Sequence, residues 1–202
     1  IASATVTRVG GIAGTSGRAQ GGAPLNSTFS QPRGVEVDSA GNVYVADTAN
    51  HAVRMLSGAW VAVSKNGTTG SADTGVGTNA LFNWPSAVRL DALTGVLYVA
   101  DSNNDKVRTI AATDSRTVVT LYTYSNAVRD IALNPAAGVI YVAVGSSVYN
   151  LTYAGATALL AGSAGAATFA DGTGTVARFT NIFGLALDPG AGLLYVADYG
   201  NH

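Results

Sequence analysis

Short apolar runs rich in β-forming residues recur along the chain and are separated by turns rich in Gly, Asn and Asp. The clearest run, residues 41–47, reads Gly-Asn-Val-Tyr-Val-Ala-Asp. Related runs place tyrosines at positions 44, 98, 141 and 195, so the spacings are 54, 43 and 54 residues. A period of roughly 40 to 50 residues built from short strands is typical of propeller blades. No window shows sustained helical periodicity.

Each repeat divides into the same succession of strands and turns. In the first repeat, a strand at residues 34–38 is followed by a turn, by the tyrosine strand and by a second turn that begins at Asp47. A third strand at 52–56 and a fourth at 60–63 complete the unit. Four antiparallel strands in succession make one blade. The predicted repeats lie at about residues 29–63, 82–121, 126–160 and 179–202, the last one incomplete.

The pattern Phe-x-x-Pro-x-Gly-Val-x-Val-Asp, followed by Gly-Asn-Val-Tyr-Val-Ala-Asp and Asn-His-x-Val-Arg, resembles the NHL repeat, named for Asn-His-Leu. The resemblance covers nearly the whole chain, is strongest in residues 29–56 and 82–110, and weakens in 126–151. It implies an all-β fold, a β-propeller of four-stranded antiparallel blades, six of them in many family members. Members bind RNA or protein, act as sensors at cell surfaces or, in one branch, are zinc-dependent lyases. The resemblance therefore indicates the fold far more than the function.

The sequence predicts a propeller that these residues do not close by themselves. Residues 5–9 have the pattern of an outer strand, and residues 198–202 end inside the turn before a third strand. We therefore expect part of a propeller with six or more blades, completed by further residues of a longer chain or by a neighbouring molecule.

Composition and charge exclude several classes of function. The formal net charge is −1, only 11% of the residues are charged, and lysine occurs only at positions 65 and 106. A nucleic-acid-binding face needs clustered basic residues, which the sequence lacks. There is no cysteine, so thiolate catalysis and disulfides are excluded. No apolar run approaches the roughly 20 residues that span a bilayer, so we expect no membrane insertion.

The repeated carboxylates Asp47, Asp101 and Asp198 each begin an Asp-x-x-Asn turn. Short acidic side chains accept amide hydrogens in such turns, and we interpret the three as structural, the alternative being calcium ligands. His51 and His202 occupy equivalent positions in different repeats and so do not converge on the roughly three-ligand site of a catalytic zinc. We predict no catalytic residue, no metal ligand and no cofactor.

Glu36 and Arg89 occupy equivalent positions in the inner strands of the first two repeats, where the later repeats carry alanine. Because inner strands of adjacent blades lie side by side, and a buried charge is tolerable when paired, we predict a cross-blade ion pair between them. The alternative is Glu36 as a metal ligand in the central channel.

Three sequons, at Asn26, Asn66 and Asn150, are candidate glycosylation sites. Together with the scarcity of lysine they favour an extracellular or cell-surface protein. We predict a non-enzymatic propeller that serves as a structural or protein-interaction module, with protein partners or self-assembly and without nucleic acid. Two alternatives stay open: a propeller enzyme with a metal in its channel, and a cytoplasmic RNA- or protein-binding NHL domain.

Overall fold

The computed structural model describes residues 5–19, 23–57, 59–73, 77–112, 116–163 and 169–201. Within these ranges the chain forms β-strands joined by turns and short 3₁₀ segments, without an α-helix. No helix in the described part of the chain is long and apolar enough to cross a bilayer.

The strands form four antiparallel sheets in chain order, and each sheet is one blade. Blade 1 contains β1 (Pro32–Val37), β2 (Val43–Asp47), β3 (Ala52–Ser57) and β4 (Ala59–Ala62). Blade 2 contains β5 (Pro85–Leu90), β6 (Leu97–Asp101), β7 (Lys106–Ile110) and β8 (Val118–Thr123). Blade 3 contains β9 (Val128–Asn134), β10 (Val139–Val144), β11 (Ser147–Thr152) and β12 (Thr157–Gly162). Blade 4 contains β13 (Ile182–Asp188) and β14 (Leu193–Asp198).

Apolar side chains on the faces of neighbouring blades form the core. Phe82 and Val53 pack between blades 1 and 2, Ile131 and Ile140 between blades 2 and 3, and Ile182 between blades 3 and 4. The first strand of each blade lies beside the first strand of the next, in the order β1, β5, β9, β13. These four inner strands line a common channel. The predicted all-β architecture is confirmed, with four antiparallel strands in each of blades 1 to 3 and two described strands in blade 4.

One sequence prediction about local structure is corrected, and the third repeat departs from the first in one turn. Residues 5–9 form no strand; they are irregular and exposed, and no described strand lies beside them to supply ladder hydrogen bonds. In blade 3 the turn between β10 and β11 is only Gly145–Ser146, because Val144 pairs directly with Ser147. In blade 1 the corresponding pair, Asp47 and Ala52, encloses four residues.

Candidate functional site at the channel entrance

The repeated carboxylate of blade 1 is fully engaged inside the fold. Asp47 ends β2 and is completely buried. Its Oδ1 accepts a hydrogen bond from the backbone N–H of Ser30 at 2.8 Å, and its Oδ2 accepts from Asn50 Nδ2 at 2.8 Å. The guanidinium of Arg54, equally buried, lies 3.1 Å from Oδ2. This carboxylate node, made of Asp47, Asn50 and Arg54, ties the turn after β2 to the segment that precedes β1.

The same node recurs in blade 2 with nearly the same distances. Asp101 accepts from the backbone N–H of Asn83 at 2.7 Å and from Asn104 Nδ2 at 2.7 Å, and Arg108 lies 3.1 Å away. Arg108 also contacts Asp73 at 2.7 Å. Burial raises the pKa of the Asp101 carboxyl, although the hydrogen bonds and Arg108 act in the opposite direction.

In blade 4 the carboxylate accepts similar hydrogen bonds from its own turn and from the segment before β13. Asp198 receives the backbone N–H groups of Thr180 and Asn181 and the side-chain amide of Asn201. Asp47, Asp101 and Asp198 thus lie in three different blades, each with its own set of donors.

Arg54 and Arg108 were missed as partners of these aspartates. Each guanidinium lies 4.4 Å from the centre of the phenylalanine ring that opens its repeat, Phe29 or Phe82. Each also donates to backbone carbonyl groups of the Gly-rich link before its blade, as Arg54 does to Ala19 at 2.9 Å. A sequence signal existed: the arginine follows the aspartate by seven residues in both repeats.

Arg89 forms a cross-blade ion pair, but its partner is Asp130 rather than Glu36. Arg89 Nη2 lies 2.9 Å from Asp130 Oδ1, while Glu36 Oε1 accepts the backbone N–H of Val37 at 3.0 Å. This corrects the pairing inferred from the sequence. Asp130 lies on the neighbouring inner strand β9, where it is buried and needs a counter-charge more than the partly exposed Glu36 does.

Asp130 is held by three strands at once. Its Oδ1 also accepts the backbone N–H of Ile131 at 2.8 Å, and its Oδ2 accepts that of Leu185 on β13 at 2.9 Å. Burial raises the pKa of this carboxyl, with Arg89 and the two N–H groups opposing the effect. Blades 2, 3 and 4 therefore meet at Asp130.

Asp130 belongs to a cavity at the end of the channel where the inner strands begin. The cavity has a volume of about 560 Å³. Four charged side chains and one exposed aromatic ring on its wall define what we call the channel entrance: Arg33, Arg89, Arg129, Asp130 and Phe183. Three arginines face one carboxylate, so the channel entrance has an excess of two positive charges.

Two of the three arginines are stacked on aromatic rings and have no ion pair within the described ranges. The guanidinium carbon of Arg33 lies 5.8 Å from the ring centre of Trp84, and that of Arg129 lies 5.5 Å from the ring centre of Phe183. Arg129 Nε is buried and has no hydrogen-bond partner. Phe183 in turn packs against Tyr199, whose ring centre is 5.1 Å away.

Of the two histidines, the structure describes only His51, which lies in the turn after β2. His51 Nδ1 accepts the backbone N–H of Trp84 at 3.2 Å, and burial lowers the pKa of its imidazole. His202 lies outside the described residues. Among the described residues no three His, Asp or Glu side chains are grouped so that they could hold a metal ion.

The three sequons differ in how accessible the asparagine is. Asn26 is exposed at the end of a 3₁₀ turn, Pro24–Asn26. Asn66 is half-buried, and its Nδ2 donates to the carbonyl of Arg18 at 3.1 Å. Asn150 lies within β11, and its Oδ1 is buried without a partner. Asn26 therefore offers the least hindered amide nitrogen.

Comparisons with known proteins agree with this architecture. The family description "NHL repeat" matches residues 29–55. The chain is 30% identical to NHL repeat-containing protein 2 of Bos taurus over 114 residues, which is 54% of this chain and 16% of that protein. The chain thus spans about a sixth of the curated relative.

Solved propeller structures resemble it at low sequence identity. A chain of the nidogen/laminin complex superposes with a TM-score of 0.64 at 16% identity, over 86% of this chain and 59% of that one. A catalytically inactive virginiamycin B lyase from Staphylococcus aureus, crystallised with quinupristin, gives a TM-score of 0.59 at 13% identity, over 86% and 51%. At such identities the likeness concerns the fold alone. The repeated residues, the antiparallel blades and these matches together show a β-propeller fold that carries an NHL repeat at residues 29–55.

Proposed function

We propose that this propeller is a non-enzymatic, extracellular module that binds protein partners at the channel entrance. The observation that carries the proposal is the pairing of exposed aromatic rings with arginines that have no ion pair. Phe183 is 42% exposed and stacks on Arg129. Tyr199 is 69% exposed and packs against Phe183. Aromatic residues and arginine are enriched where proteins bind one another.

The charge of the channel entrance favours binding over metal-dependent catalysis. A divalent cation placed in this cavity would be repelled by three arginines and attracted by one carboxylate that Arg89 already neutralises. The virginiamycin lyase shares the fold, but this wall has the wrong sign of charge for a cation.

A protein partner also fits better than RNA. Arg33, Arg89 and Arg129 line one concave cavity rather than a stripe that a phosphate backbone could follow. The net charge of −1 adds no long-range attraction for a polyanion. In addition, a chain of this fold takes part in a complex of nidogen with laminin, so the fold is compatible with a protein–protein assembly.

The experiment uses a photo-reactive amino acid placed at one of two exposed positions. Tyr199 packs against Phe183 of the channel entrance, whereas Leu93, which is 80% exposed, lies in the turn between β5 and β6 at the opposite end of the channel. In the native environment we expect cross-links to protein from position 199 and few from position 93. A second copy of this chain as the captured protein supports self-assembly. Equal cross-linking from both positions, or none to protein, contradicts the proposal.

The extracellular location has a separate test. We expect native material in the secreted or cell-surface fraction. We expect a glycan on Asn26 more often than on Asn66 or Asn150, because, of the three, only the Asn26 side chain is exposed. Peptide mass spectrometry of that material identifies the modified asparagine. Recovery of the native protein from the cytoplasm, with all three asparagines unmodified, rules out the extracellular assignment but leaves the binding surface untouched.

A further inference from the structure

We propose that the channel entrance is a carboxylate-binding subsite, in which Arg129 and Arg33 hold an Asp or Glu side chain of an acidic segment of the partner. The inference rests on the proposed function, because it assigns the anion to a protein. It adds the chemical class of the ligand and the two residues that bind it.

Arg129 provides the strongest reason to expect a ligand. It lies on β9, is half-buried, and stacks on Phe183, yet its buried Nε has no hydrogen-bond partner. The partly buried guanidinium has no counter-charge among the described residues, and a partly desolvated charge is stabilised when it is paired. A carboxylate that enters the cavity would accept from the two Nη groups, a two-pronged geometry in which guanidinium groups bind carboxylates.

Arg33 adds a second charge on the opposite wall of the same cavity. It occupies the same position of β1 that Arg129 occupies of β9, namely the second residue of each inner strand. Its side chain is exposed, stacks on Trp84 and has no ion pair in the described part of the chain. Stacking holds a guanidinium in place and lowers the entropy that it loses on binding.

Arg89 is not one of the residues that would bind the carboxylate, because its guanidinium is already paired with Asp130. It is paired with Asp130 at 2.9 Å and donates to the carbonyl of Val88 at 3.0 Å. Because Arg89 and Asp130 neutralise each other, the excess positive charge of the cavity is that of Arg129 and Arg33. A cavity of about 560 Å³ admits one or two side chains, so only part of a partner enters it.

The test measures binding of a synthetic hexaglutamate peptide to the full-length protein by calorimetry, with hexaglutamine as the neutral probe. We expect hexaglutamate to bind and hexaglutamine not to bind. Arg129→Gln should weaken binding by about ten-fold or more, and Arg33→Gln by a smaller factor, since each removes charge-assisted hydrogen bonds. Lys65→Gln removes the same charge from an exposed position away from the cavity and should change affinity less than two-fold.

Two further variants separate a binding role from a structural one. Asp130→Asn removes the negative charge and frees Arg89, so it should strengthen hexaglutamate binding several-fold, a gain that damage to the fold would not produce. Arg129→Lys keeps the positive charge but loses the two parallel N–H donors of the guanidinium. Its affinity for hexaglutamate should lie between those of the native protein and Arg129→Gln. If Arg129→Gln fails to fold, Arg33→Gln and Asp130→Asn decide the result.

Several outcomes overturn the inference. Equal binding by Arg129→Gln, or a loss as large in Lys65→Gln, means that no subsite exists there. Stronger binding of inorganic phosphate or of a ten-uridine RNA than of hexaglutamate assigns the cavity to phosphate groups instead. Protein cross-links at position 199 without hexaglutamate binding reject the carboxylate subsite but keep the proposed function. Hexaglutamate binding without protein cross-links at position 199 rejects the proposed function but keeps the carboxylate subsite.

Discussion

Blades 1 and 3 have the same strand order but different interiors. Blade 1 is held by the carboxylate node of Asp47, Asn50 and Arg54. In blade 3, Val144 stands at the position of Asp47 and Tyr149 at the position of Arg54, as the strand registers show. The aspartate and the arginine have been replaced together, which indicates that the pair is retained or lost as a unit.

The replacement is apolar and aromatic. Val144 is buried, and Tyr149 packs against Tyr124 with ring centres 5.2 Å apart. Tyr124 in turn lies 4.7 Å from Tyr122, and burial raises the pKa of its phenol to about 12. Blade 3 also begins without the phenylalanine and the long Gly-rich link of the other blades. A buried ion pair and well-packed apolar side chains are therefore alternative solutions for the same position of this fold.

The largest expected effect is the loss of one member of the pair. Asp47→Ala leaves the buried Arg54 guanidinium without its carboxylate and should lower the free energy of unfolding by about 3–5 kcal/mol. Val144→Ala, at the equivalent position in blade 3, removes only apolar contacts and should cost about 2 kcal/mol. Urea unfolding of both variants measures the difference. Equal losses would mean that the node contributes no more than apolar packing.

The next test transplants the interior of blade 3 into blade 1. Asp47→Val leaves the Arg54 guanidinium without its carboxylate, and Arg54→Tyr leaves the Asp47 carboxylate without its counter-charge. The double variant removes both charges. We expect the double variant to be less destabilised than the sum of the single variants by about 0.5–3 kcal/mol. A double-mutant cycle of unfolding free energies gives this coupling directly. Strict additivity would show that the two positions are independent.

The sequence was sufficient to predict the blades because their determinants are local and repeated. The tyrosine strand, the Gly-ended turn before it and the Asp-x-x-Asn turn after it recur closely enough to define strands and register. The outer strand expected at residues 5–9 failed because a strand also requires a neighbour, which a local pattern does not reveal.

The channel entrance was not predictable in the same way. Glu36 and Arg89 are equivalent by alignment, but an arginine side chain is long enough to reach Asp130, two residues before the equivalent position on the next strand. Residues two apart lie on the same face of a strand, so the pairing depends on reach rather than on equivalence. The stacking of Arg129 on Phe183 joins two blades that the sequence alone does not align in space.

A smaller effect concerns the turn that blades 1 and 3 still share. Gly41 and Gly138 precede the tyrosine strand with φ of 83° and 63°, and a Cβ atom at either would meet nothing within 4 Å. Alanine at each position should therefore cost only the backbone strain of the left-handed conformation, roughly 1 kcal/mol. Thermal unfolding should give equal losses for the two variants. Unequal losses of stability would mean that blade 3 differs from blade 1 in the turn before the tyrosine strand as well as in the turn after it.

The smallest effect is a pair of pH dependences of opposite sign. Burial raises the pKa of Asp130 in blade 3 above its ordinary value of 3.8. Burial would also raise the pKa of Asp73 in the link before blade 2, but hydrogen bonds from Thr120 and the contact with Arg108 outweigh it, so that pKa is lowered.

The signs follow from which state binds the proton more tightly. The folded protein holds the Asp130 proton more tightly than the unfolded chain does, so this group costs stability as pH rises from 3.8 through its raised pKa. Asp73 contributes stability above 3.8 that is lost as pH falls through its lowered pKa. Relative to the native protein, Asp130→Asn should become more stable as pH rises through the first window, and Asp73→Asn more stable as pH falls through the second. Urea unfolding over about pH 2.5 to 6.5 covers both windows. The same sign for both variants would mean that the two carboxylates do not differ as their surroundings indicate.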